Sequence, residues 1–490
     1  MPTEQQRAVR TRYWPLIRSD PVLRAAGHNP FLLPGRPALP GAVRRRHPGS
    51  MGVERASNTD LGFLAMDRGG VPEQFAAVLK LDRRIDPRTA EQVLATRIAG
   101  LPRLRQRLVR TPPGCGRPIW VDDEAFHIGR HVRWLRTPTP GDETALLDVV
   151  LPLVTERLPR DRPLWRAAVV DGTAIVFVVH HVLADGIGGL ALLSGLADRP
   201  APPQSVPFPR RRPGAVLLAA DAARARAGAV RNLARSCRLL RRSMTAGGGL
   251  RPERVAPSSL LRPTGPRRRA VTAHVDLGRL REVAHRHHGT ANAALVSAVA
   301  GGLGRLLTAR GEQIGTLAVA VPVAGRSAAA PGDLGNMVSP MLMHVPVTAA
   351  PSVRIARIAG AVRSHRHLAT GPPPFGLLGP AFRLAAVLGG YRWYMNRQRR
   401  LHTVVSHVRG PEQPLHFAGA LIRTIVPVAV GTSGSITVAF QAISYAGTLT
   451  VTAVADPDQF PDLADLAEAL QQELDSLVDD DGGRAALSGG

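Results

Sequence analysis

The sequence predicts an α/β (α+β) fold arranged as two halves of similar size and style. Three observations carry this. Short apolar runs rich in Val and Ile alternate with helix-period segments from residue 56 to 200. The same alternation returns from 266 to 482. Between them lies a basic linker that opens Arg199-Pro200-Ala201-Pro202-Pro203. The 490 residues are 44% hydrophobic, ample for a sizeable core, and at ~150 residues per domain they suit two or three domains.

Taken in order, residues 1–50 are rich in Pro and Arg and show no period. They read as a disordered basic extension, as sequence upstream of a start at Met51, or as a basic tail that touches a membrane. The first half occupies 51–200. Phe75 to Leu81 is a strand, Thr89 to Ala99 a helix, and Leu146 to Leu158 a helix by its period. Thr173 to Val179 is a continuous apolar run that suits a strand buried on both faces. Gly188 and Gly189 open a small-residue helix toward Leu196. The linker, 201–265, holds a basic helical stretch from Ala215 to Arg242. Between Arg210 and Arg242 stand ten arginines and one acid, Asp221. That pattern fits either an amphipathic helix on a membrane surface or a solvated interdomain helix. In the second half, 266–482, Thr290 to Leu307 is a long helix of small and apolar residues, and Thr316 to Val323 and Met341 to Val347 are strands. Ser435 to Ser444 and Thr448 to Val454 form a hairpin around Ala446-Gly447. Leu463 to Leu477 is an acidic amphipathic helix, and 483–490 is a tail.

The net charge is +26, and Lys80 is the single lysine. Nucleic acid, an anionic membrane surface and anionic substrates are the partners such a balance admits. Only 4% of residues are aromatic, too few for a platform that stacks bases, so no nucleic-acid partner is expected. Cys115 and Cys237 stand far apart and form no disulfide framework, which suits a reducing cytoplasm. No window of about 20 apolar residues predicts a spanning helix, and the N-terminus lacks a signal-peptide core. His285, His287 and His288 lack a second ligand pair, so no metal is expected.

Chemistry concentrates at His180-His181-Val182-Leu183-Ala184-Asp185-Gly186, directly after the buried run. A neutral imidazole with a pKa of ~6.5 can accept a proton near pH 7. An alcohol attacks a thioester readily only while its proton is being removed, so a positioned base is the central requirement. Asp185 can pair with an arginine or orient an imidazole, and Gly186 permits a turn that a side chain would block. No G-x-S-x-G elbow is present, which points to direct transfer without a covalent acyl-enzyme.

The His-His-x-x-x-Asp-Gly stretch resembles the superfamily of chloramphenicol acetyltransferase, nonribosomal condensation domains and related CoA-dependent acyltransferases. Further blocks resemble the bacterial wax ester synthase/diacylglycerol acyltransferase family. They are Asp60-Leu61-Gly62-Phe63-Leu64 with Met66-Asp67, Trp120-Val121 with Asp123 and Phe126, His131-Val132, and Arg162-Pro163-Leu164-Trp165. Gly335-Asn336 with Ser339 and Val345-Pro346, Ser406-His407-Val408-Arg409-Gly410-Pro411, Ser444-Tyr445 with Gly447, and Pro461-Asp462 continue the match in order. The resemblance implies two chloramphenicol acetyltransferase-like domains, each a mixed sheet flanked by helices, with a tunnel between them. It implies His181 as catalytic base, with His180, Asp185 and Gly186 completing the motif and Arg326 pairing with Asp185. It implies Pro163, Leu164, Trp165, Gly335, Asn336, Ser339 and Ser406 along the substrate tunnel.

The implied reaction moves a long-chain acyl group from acyl-CoA to diacylglycerol, or to a long-chain alcohol to give a wax ester. No cofactor is implied beyond acyl-CoA as co-substrate. The implied place is the cytoplasm, peripheral to a membrane or lipid-droplet surface. The sequence departs from the family at Asn292-Ala293, where Asn-Asp is expected, and at His407 and Arg409, where Asn and Pro are expected. These departures keep a different acceptor such as a polyketide, sugar or amine open, and a non-catalytic module that binds lipid or an acyl carrier is a separate alternative.

Overall fold

The computed structural model describes residues 53–138, 141–184, 186–198, 207–246, 254–324, 338–365, 374–431 and 434–479. The expected extension at 1–50 and the tail at 483–490 lie outside these residues. The chain order begins with α1 (Asn58–Met66). Ser57 starts it by a reciprocal cap: its hydroxyl accepts from the Asp60 N–H, and the Asp60 carboxylate accepts from the Ser57 N–H. Next come β1 (Gln74–Leu81), α2 (Pro87–Ala99), the ribbon of β2 (Gln106–Val109) and β3 (Ile119–Asp122), and β4 (Val132–Leu135). Then α3 (Glu143–Thr155), β5 (Trp165–Val170), β6 (Ala174–His180) and α4 (Gly186–Leu196) complete the first half. Strands β5 and β6 are buried at every position, and apart from Arg166 and the terminal His180 their residues run apolar without alternation.

The expected single helix of the linker is two, α5 (Ala215–Arg231) and α6 (Leu233–Ala246). Leu218 of α5 is buried with Ile119 and Cys115, and Asp221 accepts from Arg55 Nε at 2.6 Å. Helix α5 is therefore docked on the β2–β3 ribbon through its apolar side.

The second half holds β7 (Arg269–Asp276), α7 (Leu277–Arg286), α8 (Ala291–Ala309), β8 (Thr316–Ala324), β9 (Val338–Pro346) and α9 (Pro351–His365). Three short helices follow, α10 (Pro374–Leu378), α11 (Pro380–Val387) and α12 (Gly390–Arg397). The chain closes with β10 (Thr403–Arg409), β11 (His416–Phe417), β12 (Ala420–Ala429), the hairpin β13 (Val438–Tyr445) and β14 (Thr448–Ala455), and α13 (Leu463–Asp479). Helix α8 is long and apolar enough to pass for a membrane span, yet 78% of it is buried. It packs against α7, α9 and α13 as the central helix of the second core. Gly301 on α8 leaves room for Glu473, which pairs with the buried Arg354.

Two six-stranded sheets result, ordered β11-β12-β1-β6-β5-β4 and β7-β14-β13-β10-β8-β9. Both are mixed: β4 runs parallel to β5, and β10 runs parallel to β8 and β13. The pairing crosses the expected boundary at 265. Strand β12 belongs to the second half in sequence but pairs with β1, from Phe75↔Ala429 to Lys80↔Thr424.

Candidate active site

Strand β6 ends at His180, and His181 opens the turn toward α4. The His181 N–H donates to the Glu73 carbonyl at 2.9 Å, which ties the turn to the start of β1. Side chains alternate across a strand. Phe177, Val179 and His181 therefore share one face, and all three line an apolar cavity of about 130 Å3. Phe75 and Pro427 of the first sheet, Leu190 and Leu193 of α4, and Ser406, Val408 and Gln441 of the second sheet are among the other residues that line it. The cavity thus lies between the two sheets. Gly189 admits the Phe75 ring: a Cβ there would stand 2.9 Å from it.

Two aromatic rings hold the His181 imidazole. Phe63 stacks on it at 4.9 Å, and Phe75 meets it tilted at 4.8 Å. Burial, helped by the neighbouring His180 and opposed by a hydrogen bond with the Ala184 backbone, pushes the His181 imidazole down to about 3. The ring is neutral at pH 7, and it lines the cavity.

His180 faces the other way and is buried. Its Nδ1 accepts from the Val182 N–H at 3.0 Å, so the proton belongs on Nε2, which lies 3.4 Å from Asp67 Oδ2. Asp67 follows α1 one turn beyond Phe63, so one helix end serves both histidines. Burial alone would raise the Asp67 carboxyl. His180, Arg160 and Arg157 instead hold it down to about 2. Arg157 Nη1 donates to Asp67 Oδ1 at 2.5 Å and Arg160 Nη2 to Oδ2 at 2.7 Å. Nearby Glu73 is buried, and desolvation together with Asp67 pushes its carboxyl up to about 8.

Residues 57–295 match the wax ester synthase/diacylglycerol acyltransferase catalytic domain, and 334–478 match the C-terminal domain of the same family. The chain belongs to that family. A probable diacylglycerol O-acyltransferase of Mycobacterium tuberculosis is 31% identical over 448 residues, 87% of this chain and 92% of that one. The wax ester synthase/diacylglycerol acyltransferase from Marinobacter aquaeolei VT8 superposes with a TM-score of 0.61 at 21% identity, covering 88% of this chain and all of that one. The starter condensation domain of rhizomide synthetase, solved with C8-CoA, superposes at 0.56 and 15% identity over 87% of this chain and 94% of that one. The last two likenesses show the fold.

Within this wax ester synthase/diacylglycerol acyltransferase fold, the expected residues separate. His181 and Ser406 come together at the cavity, and His180 supports the turn from behind. Gly186 is the first residue of α4. Asp185, Arg326, Gly335 and Asn336 lie outside the described residues. Ser339 lies on β9, opposite Val323. Pro163, Leu164 and Trp165 stand at the entry to β5. All three are buried. Trp165 donates its Nε1–H to the Leu104 carbonyl at 2.7 Å and stacks on His131 and Phe177. Leu164 and Trp165 belong to the first core, as does Phe177, which lines the cavity.

Sequence reasoning missed Asp67 as a site residue, although it quoted the block that ends there. It also missed Gln441, which lines the cavity with its Oε1 buried and unpartnered among the described residues. A lone Gln inside the apolar run of β13 was the available signal. His407 does not line the cavity, and burial holds it neutral at about 4.

Proposed function

We propose that this chain moves a long-chain acyl group from acyl-CoA to the free hydroxyl of a diacylglycerol, with long-chain alcohols as a second acceptor class. The observation that carries it is His181, clamped by two rings on the wall of an apolar cavity between the sheets. The relative named for diacylglycerol O-acylation supports the acceptor. His181 takes the acceptor proton as its oxygen attacks the thioester carbonyl. A C–O bond forms, the C–S bond breaks, and the proton passes to the leaving thiolate of CoA. Imidazolium and oxyanion arise together, and a dry site strengthens their attraction. A base that is neutral before reaction suits this order. Asp185 paired with Arg326 would brace the turn. The reading needs no resident cofactor, since acyl-CoA is a co-substrate. We place the enzyme in the cytoplasm, peripheral to a membrane or lipid droplet, where acceptor and product partition.

A thiol-release assay with palmitoyl-CoA across dioleoylglycerol, hexadecanol, sugar and amine acceptors tests the proposal. Loss of a general base removes roughly 10²–10⁴-fold of rate. His181→Ala is expected to fall by that factor with an unchanged melting midpoint. Wild-type release from the variant would overturn the base assignment, and release with sugar or amine acceptors alone would overturn the lipid acceptor.

A further inference from the structure

Helices α11 and α12 carry apolar side chains that no element among the described residues covers. Leu384, Val387 and Leu388 stand at i, i+3 and i+4, on one side of α11 and the residue after it, and Leu384 and Leu388 are 61% and 76% exposed. Trp393 on α12 is 62% exposed, with Tyr394 beside it. Isolated exposed apolar residues are ordinary, but a contiguous patch marks an interaction surface. The charge carried by this segment of the sequence has one sign. Pro374 to Arg400 contains five arginines, and no acid occurs between Leu334 and Pro411. Helix α6, which packs against α10, exposes Arg235, Arg238, Arg241 and Arg242. Apolar residues and Trp set among arginines suit the boundary between phospholipid headgroups and acyl chains.

The same element borders a way inward. Val387, Leu388, Tyr391 and Arg392 line a cavity of about 550 Å3 that reaches Met66 and Arg68 at the end of α1. From Tyr391 a line of ring contacts runs through Phe382, Phe375 and Phe63 at 5.5, 5.4 and 5.3 Å, and Phe63 stacks on His181.

We propose that the α11–α12 face docks this chain on an anionic phospholipid surface, so that the cavity beside it opens toward that surface. This deepens the peripheral placement above. Its test reads binding rather than turnover, so the two readings fail separately.

The full chain is sedimented with vesicles of phosphatidylcholine, with and without phosphatidylglycerol. Binding is expected with phosphatidylglycerol, weakening as salt rises, and not with phosphatidylcholine alone. The double variant Leu384→Ser/Trp393→Ser is expected to lose at least tenfold in vesicle partition. Its melting midpoint and its CoA release with a short, water-soluble alcohol should stay at the wild-type values. Three results would overturn the proposal: no binding by the wild type, equal binding by the variant, or binding gained only after residues 1–52 are removed. A variant that turns a wild-type dimer into a monomer, with no vesicle binding by either, would instead make the face an interface between copies.

Discussion

Glu73 is a carboxyl whose surroundings favour its proton. It is buried beside Asp67, and its carbonyl holds the His181 N–H. Its pKa rises from 4.5 to about 8 on folding, so the folded chain binds this proton more tightly than the unfolded one. The group therefore lowers stability as pH climbs from about 4.5 through about 8, with a slope of at most about 1.4 kcal/mol per pH unit. Glu73→Gln is expected to remove that slope. Denaturant midpoints for both proteins at pH 5, 6, 7 and 8 check it, and parallel curves would sink it. At this scale the sequence singled out the His-His-x-x-x-Asp-Gly stretch after an apolar run, and the fold sets its His181 on the cavity wall. It hid Asp67 and Glu73, because a carboxyl on a loop looks solvated until the fold shows what buries it.

Elements set the site's shape through close approaches. Helix α1 gives Phe63 to His181 and ends at Asp67, which faces His180. Gly62 on the same helix lets Phe375 lie against it, since a Cβ would stand 2.5 Å from that ring. Helix α4 approaches Phe75 at Gly189 in the same way. Gly189→Ala is expected to displace Phe75, and with it the His181 ring, at a cost of about 1–3 kcal/mol. The denaturant midpoint and the rate of CoA release should fall together. A lower rate with an unchanged midpoint would mean that the ring moves without strain. Strong periods predicted α2, α8, α13, β1, β6 and the β13–β14 hairpin with ends displaced by a few residues. The single basic helix of the linker failed as one element, because Asn232 interrupts it and α5 finds its own docking site. A charge-rich pattern does not show where its apolar residues will land.

At the scale of the whole molecule, β12 decides the architecture. Removing it would expose the long edge of β1 and part of the cavity wall, since Ile425, Pro427 and Val428 line the cavity. Residues 1–265 expressed alone are therefore expected to aggregate, and co-expression with 266–490 to restore solubility. A soluble, monomeric 1–265 fragment would show that the first sheet closes without β12. The sequence by itself determined the fold class and the family, because each is written in local periods and short motifs. Only the tertiary structure decided which histidine faces the cavity and which faces Asp67, that Leu164 and Trp165 belong to the core, and where a strand of the second half completes the first sheet. These depend on contacts between residues up to several hundred positions apart, and neither period nor spacing records such pairings.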